Sequence, residues 1–189
     1  IGMLANAGTG LSQATVEELQ YAFVTGRYPD GRNFIVCTRD SGSGTRNGGM
    51  NGLGIDPSWG RGDHLGISPG DSKTDRLGPN FQPTNKGGSS RIEDTIQNAR
   101  LAVGYSGLYE SGRAIDDAAA FRYEILDVSF DGGSHYVRPS VAGVLDACSA
   151  NPDRYPIGGP ETFASRGNPF EINPASPAYM YDPSGPAVP

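Results

Sequence analysis

The chain has 189 residues, of which 36% are hydrophobic and 19% charged, with 28 glycines and 15 prolines. That size suits one domain, and apolar periodicity recurring between the glycine and proline breaks argues for a packed core with long loops rather than a low-complexity chain. A formal net charge of -6 with no basic run argues against a nucleic-acid partner. No apolar stretch approaches the roughly twenty residues needed to span a bilayer, and no signal peptide stands at the start.

In chain order, Thr15 and Glu18 form a capping box for a helix bearing Leu19, Ala22 and Phe23, which Gly26 stops. Phe34-Ile35-Val36-Cys37-Thr38 is a run of β-branched and aromatic residues that reads as a strand. At its carboxyl end stands Arg39-Asp40-Ser41-Gly42-Ser43-Gly44-Thr45. This stretch places one guanidinium, three hydroxyls and several backbone N–H groups in a single turn, at the kind of strand end where α/β sheets bind ligands.

Converging N–H groups suit a tetrahedral anion, Ser43 and Thr45 add hydroxyls, and an arginine fork grips an oxyanion through two parallel bonds. The same composition also serves as a solvated turn. Better-known motifs fail here. No lysine lies near for a Walker-type loop, Asn47 stands where a dinucleotide motif needs its third glycine, and Ser41 stands where a serine-hydrolase elbow needs glycine.

From Gly48 to Gly88 the chain is a glycine- and polar-rich excursion with Trp59 and Phe81 as anchors. Ser90 with Glu93 then caps a helix through Ile92 and Ile96, and Gly87-Gly88-Ser89-Ser90 reads either as that ordinary cap or as a second anion nest. Leu101 to Tyr105 is a strand. Tyr123 to Phe130, the turn Asp131-Gly132-Gly133 and His135 to Arg138 predict a hairpin. Pro139 and Ser140 open a short helix that ends before Asn151-Pro152. Beyond Arg166 the composition changes, and prolines at 169, 174, 177, 183, 186 and 189 preclude a regular helix. This tail, with Tyr179, Met180 and Tyr181, is either a contact arm or an unstructured terminus.

Cys37 lies in the apolar strand, and Cys148 falls on the helical stripe of Val141, Val144 and Leu145, which is expected to face a core. The two cysteines form a disulfide in an oxidising compartment or serve as small buried hydrophobes. His64 and His135 have no histidine or cysteine at metal-ligand spacing. Lys73 and Lys86 are the only lysines, an arginine bias that fits oxyanion recognition and GC-rich codon usage alike. No paired carboxylates and no nucleophile–base set emerge, so no enzyme is read here.

The turn resembles the anion-binding turn of the phosphate-binding proteins of bacterial ABC transporters, where an arginine precedes a Gly-Ser-Gly-Thr run. Ile1 to Asn6 followed by Ala7-Gly8-Thr9 is similar to that family's crossover strand into its second lobe, and Leu11 to Gly26 to the helix that follows. Leu101-Ala102-Val103-Gly104-Tyr105 is similar to the family's next strand and Tyr155-Pro156-Ile157 to its return strand, so the similarity runs in order over about residues 1 to 166.

The resemblance implies an α/β, periplasmic-binding-protein-like lobe over residues 1–166, with a central mixed sheet flanked by helices, followed by a proline-rich extended tail over 167–189. It implies phosphate contacts from Arg39, Ser43, Gly44 and Thr45, with weaker ones from Ser41 and Gly42. No cofactor or metal is implied. The partners implied are inorganic phosphate and the membrane permease of an ABC transporter, and the location is the periplasm or cell surface. This chain has Ser41 where the family carries an aspartate, and Gly48, Gly49, Gly52 and Gly54 predict that the helix after the turn is short or absent. It also lacks the family's first lobe, and a start at Ile1 fits a processed or partial chain. The alternative is an assembly module that keeps the lobe fold and self-associates through its tail and loops.

Overall fold

The computed structural model describes residues 1–39, 43–57, 84–86, 88–108, 114–120, 122–147 and 150–157, with only the backbone of 84–86. All lie in one unit, Ile1–Gly159. Its centre is a five-stranded mixed sheet of β1 (Gly2–Ala5), β3 (Ile35–Arg39), β4 (Thr84–Lys86), β5 (Ala102–Ser106) and β6 (Glu124–Ile125), in the order β4-β3-β5-β1-β6. A separate pair joins β2 (Gln13–Thr15) to β7 (Asp127–Ser129) in parallel.

The helices are α1 (Val16–Thr25), α2 (Gly44–Gly52), α3 (Ser89–Asn98), α4 (Ala114–Ala119) and α5 (Val141–Leu145), with a 3-10 turn at Ala7–Thr9. β3 runs parallel to both β4 and β5, with Cys37 opposite Thr84 and Ile35 opposite Ala102. β1 runs antiparallel to β5, with Met3 opposite Tyr105. The parallel trio therefore brings its carboxyl ends, at Lys86, Arg39 and Ser106, to one edge of the sheet.

Both faces of β3 and β5 are covered, which explains their largely apolar, buried runs. On one face the Tyr105 ring lies 5.9 Å from the Phe23 ring of α1, and a Cβ on Gly49 of α2 would stand 3.4 Å from its Cδ2. On the other, α3 presses Ile96 over Gly104, where a Cβ would come within 2.9 Å of Ile96 Cδ1. The first helix follows its capping box closely. The Thr15 hydroxyl accepts from the Glu18 N–H at 3.2 Å, the Glu18 carboxylate accepts from the Thr15 N–H at 2.8 Å, and Gly26 ends the helix at φ 70°.

Several expectations are corrected. The glycines after the turn do not abolish the helix, because α2 runs nine residues through Gly48, Gly49 and Gly52. Its glycines permit close approach: a Cβ on Gly52 would stand 2.8 Å from the Ile157 Cα. Packing here overrides the propensity cost of roughly 1 kcal/mol per glycine. The excursion from Gly48 accordingly opens as helix and includes β4, while residues 58–83 lie outside the described residues.

Ser90 does not cap α3. Gly88 occupies the N-cap with no side-chain bond, and Glu93 turns inward to the Ser106 hydroxyl at 2.6 Å. The expected strand from Tyr123 to Phe130 breaks at Leu126, whose N–H donates to the Met3 carbonyl at 2.8 Å. The hairpin shrinks to one bridge between Val128 and Val137, because β7 spends its ladder on β2.

Tyr155 and Ile157 are buried, yet they form no strand; the Tyr155 N–H donates instead to the Gly143 carbonyl at 2.8 Å. The helix α5 is capped by Ser140 as expected, but Val141 is 58% and Leu145 80% exposed, so of that stripe's described residues Val144 alone packs against the core. Cys37 is buried in β3, whereas Cys148, its pairing with Cys37, His64 and the proline-rich tail lie outside the described residues.

Candidate functional site

Arg39 closes β3 at the carboxyl edge of the sheet, with Lys86 of β4 as its register partner on one side. Its side chain is half-buried, and Nη1 donates to the Ser89 hydroxyl at 3.2 Å. Its backbone N–H donates to the Tyr105 hydroxyl at 2.9 Å, which also shares a 2.7 Å bond with Thr38 Oγ1. Burial pushes the Tyr105 hydroxyl up to about 12, against the opposing pull of those two bonds and of the nearby Arg46 and Arg39 charges. Tyr105 is thus a neutral, doubly bonded post beneath the end of β3.

Residues 40–42, including the expected Ser41 and Gly42, lie outside the described residues. Beyond them Ser43 is buried as the N-cap of α2, its hydroxyl accepting from the Arg46 N–H at 3.2 Å. Gly44 and Thr45 are the first two residues of α2, and a helix supplies no acceptors for the N–H groups of its first turn. The helix dipole adds about half a positive charge there. Gly44 is exposed, and a Cβ on it would meet nothing within 4 Å among the described residues.

A second helix begins at the same edge of the sheet. α3 begins at Ser89 without a side-chain cap, and the Arg39–Ser89 bond ties it to the end of β3. The N-termini of α2 and α3 both lie at the carboxyl edge of the sheet, and the Arg39 guanidinium is bonded to the second of them, a setting suited to an anion.

Sequence reasoning missed two members of this group. Arg46 is only 1% exposed and lies on the sheet-facing side of α2 with Gly49 and Met50. Its signal was the spacing to those residues, which a glycine-rich helix obscures. Ser89 was read only within a separate nest, because nothing local links it to a residue fifty positions earlier.

Elsewhere, a cavity of about 280 Å³ is lined by Phe130, Asp131, His135, Val137, Asn151 and Arg154, among others. His135 Nε2 lies 3.2 Å from Asp153 Oδ1 beside it. Among the described residues no group of His, Cys, Asp or Glu could hold a metal ion, and no helix is long and apolar enough to cross a membrane.

No protein-family model matches this chain, and no curated protein does. Among solved structures, it is similar over 79% of its length to a possible phosphate binding protein from Planctomyces limnophilus, at 13% identity and a TM-score of 0.51, covering 48% of that chain. It is similar over 79% to a protein from Clostridium perfringens assigned as a phosphate ABC transporter substrate-binding protein and solved with bound phosphate, at 18% identity, a TM-score of 0.49 and 50% of that chain. A third likeness, over 82%, is to an ABC-type phosphate transport receptor from Vibrio cholerae, at 15% identity, a TM-score of 0.49 and 52% of that chain. The chain thus spans about half the length of these proteins. The first likeness shows the periplasmic-binding-protein-like α/β fold that the ordered motifs imply.

Proposed function

We propose that this chain binds inorganic phosphate or a similar oxyanion at the junction of β3 and α2, as part of an exported solute-binding protein that serves an ABC-type permease. The observation that carries the reading is Arg39, at the carboxyl end of β3 shortly before α2 begins, with its guanidinium bonded to Ser89 at the start of α3. Arg39 supplies the charge and a planar fork; Gly44 and Thr45 supply first-turn N–H groups, and the Ser43 and Thr45 hydroxyls add donors. Ser41 and Gly42, the weaker members of the set, lie outside the described residues. The named residues would hold the anion through charge and hydrogen bonds alone. A solved protein of similar fold is named as a possible phosphate binding protein, which supports a binding role.

Titration calorimetry of orthophosphate tests this. Arg39→Ala should weaken binding by about a hundredfold, the worth of two charge-assisted hydrogen bonds. Arg100→Ala, at an exposed position whose side chain lies along Gly8, should leave it unchanged. Equal affinity in the two variants would refute the assignment.

A further inference from the structure

An arginine is buried in the first turn of α2. Arg46 is the third residue of that helix and only 1% exposed, a rare place for a guanidinium. Its backbone N–H donates to the Ser43 hydroxyl at 3.2 Å, so it is tied to the turn read as the anion cradle. Three and four residues on, Gly49 and Met50 are buried on the same face of the helix. A Cβ on Gly49 would stand 3.4 Å from Cδ2 and 3.5 Å from Cγ of Tyr105. The face of α2 that covers the Tyr105 ring therefore carries Arg46 one turn nearer the start of the helix. Burial pushes the Tyr105 hydroxyl up, and of the two arginine charges that oppose this, Arg46 pulls harder than Arg39.

A phenol has one proton to give and lone pairs with which to accept. Tyr105 Oη accepts from the Arg39 N–H at 2.9 Å and shares a 2.7 Å bond with Thr38 Oγ1, and both Tyr105 and Thr38 are fully buried. A fixed cation beside this hydroxyl favours the orientation that turns its proton away, toward Thr38, and leaves its lone pairs for the Arg39 N–H. In a dry site that preference is strong, because no water screens the charge. We propose that Arg46 is a positioning residue of the oxyanion site: its charge holds the Tyr105 hydroxyl as the acceptor for the Arg39 N–H, and so fixes the strand end that carries the Arg39 guanidinium. This rests on the reading of the β3–α2 junction as an oxyanion site.

The test is orthophosphate calorimetry of the whole chain in a double-mutant cycle of Arg46→Met and Tyr105→Phe. Methionine keeps an unbranched stem without the charge, and phenylalanine keeps the ring without the hydroxyl. Each change alone should weaken binding by about tenfold, and the two together by about the same tenfold, because the second removes a link that the first has already broken. Arg46→Lys keeps the charge and should recover most of the loss, a difference from methionine that a merely space-filling role would not produce. A combined loss of about a hundredfold would overturn the proposal, because the two residues would then act independently. Full affinity in Arg46→Met would overturn it as well. Tyr105→Phe by itself decides the matter should Arg46→Met fail to fold: unchanged phosphate affinity there overturns the positioning role while sparing the oxyanion site. An unaltered chain that binds no phosphate overturns both.

Discussion

Replacing the glycines of α2 by alanine one at a time separates packing from helix propensity. At Gly48 a new Cβ would stand 2.7 Å from Cδ1 of Ile1, the far end of a flexible side chain that can rotate aside. The variant then keeps the propensity gain of about 1 kcal/mol and should be as stable as the parent or more so. At Gly52 the new Cβ would stand 2.8 Å from Cα, 3.0 Å from Cγ2 and 3.1 Å from Cβ of Ile157. Backbone cannot rotate aside, and overpacking of this kind costs roughly 1–3 kcal/mol. The propensity gain is no larger at Gly52, the last residue of the helix, so Gly52→Ala should be less stable than Gly48→Ala by about 1–3 kcal/mol. Urea unfolding followed by circular dichroism measures the difference directly, provided the two slopes agree. If Gly52→Ala is the more stable variant, the segment at Ile157 does not brace α2, and the explanation for a glycine-rich helix at the candidate site fails.

Two further outcomes concern the frame that holds the site. Thr15→Ala removes one half of the capping box of α1 and should lower stability by about 1 kcal/mol in the same assay. Tyr105 ionises near 10 when unfolded but only at about 12 in the fold, because burial disfavours its phenolate. Between those values the folded state holds the extra proton, so stability is intact below about pH 10 and falls as pH rises to about 12, by roughly 3 kcal/mol for two units. Burial raises Tyr28 and Tyr155 as well, deepening the fall. In an alkaline titration, part of the phenolate absorbance should appear only together with loss of the dichroism signal. Complete ionisation near pH 10 with the fold intact would refute the burial argument.

What the chain makes legible locally is confirmed where neighbours in sequence are also the partners in space. The Thr15–Glu18 capping box, the start of α5 at Ser140 and the stop of α1 at Gly26 each rest on residues within three or four positions, and each forms as expected. The apolar runs at 34–38 and 101–105 likewise become β3 and β5, displaced by about one residue. Reading failed where a distant partner competes. Ser90 and Glu93 have capping-box spacing, but a hydroxyl on β5 takes the carboxylate. The run from Tyr123 to Phe130 has strand composition, but β1 and β2 draw its two halves into different sheets.

The sequence by itself determined the residue chemistry of the candidate site: an arginine at a strand end, followed by small hydroxyl and glycine residues able to start a helix. Only the tertiary structure decided how that chemistry is assembled. The bond from Arg39 to Ser89 spans 50 positions and the link from Thr38 to Tyr105 spans 67. Each follows from strand register and from how closely α2 and α3 lie on the sheet. Backbone pairing between distant segments sets both, and no local preference along the chain encodes it.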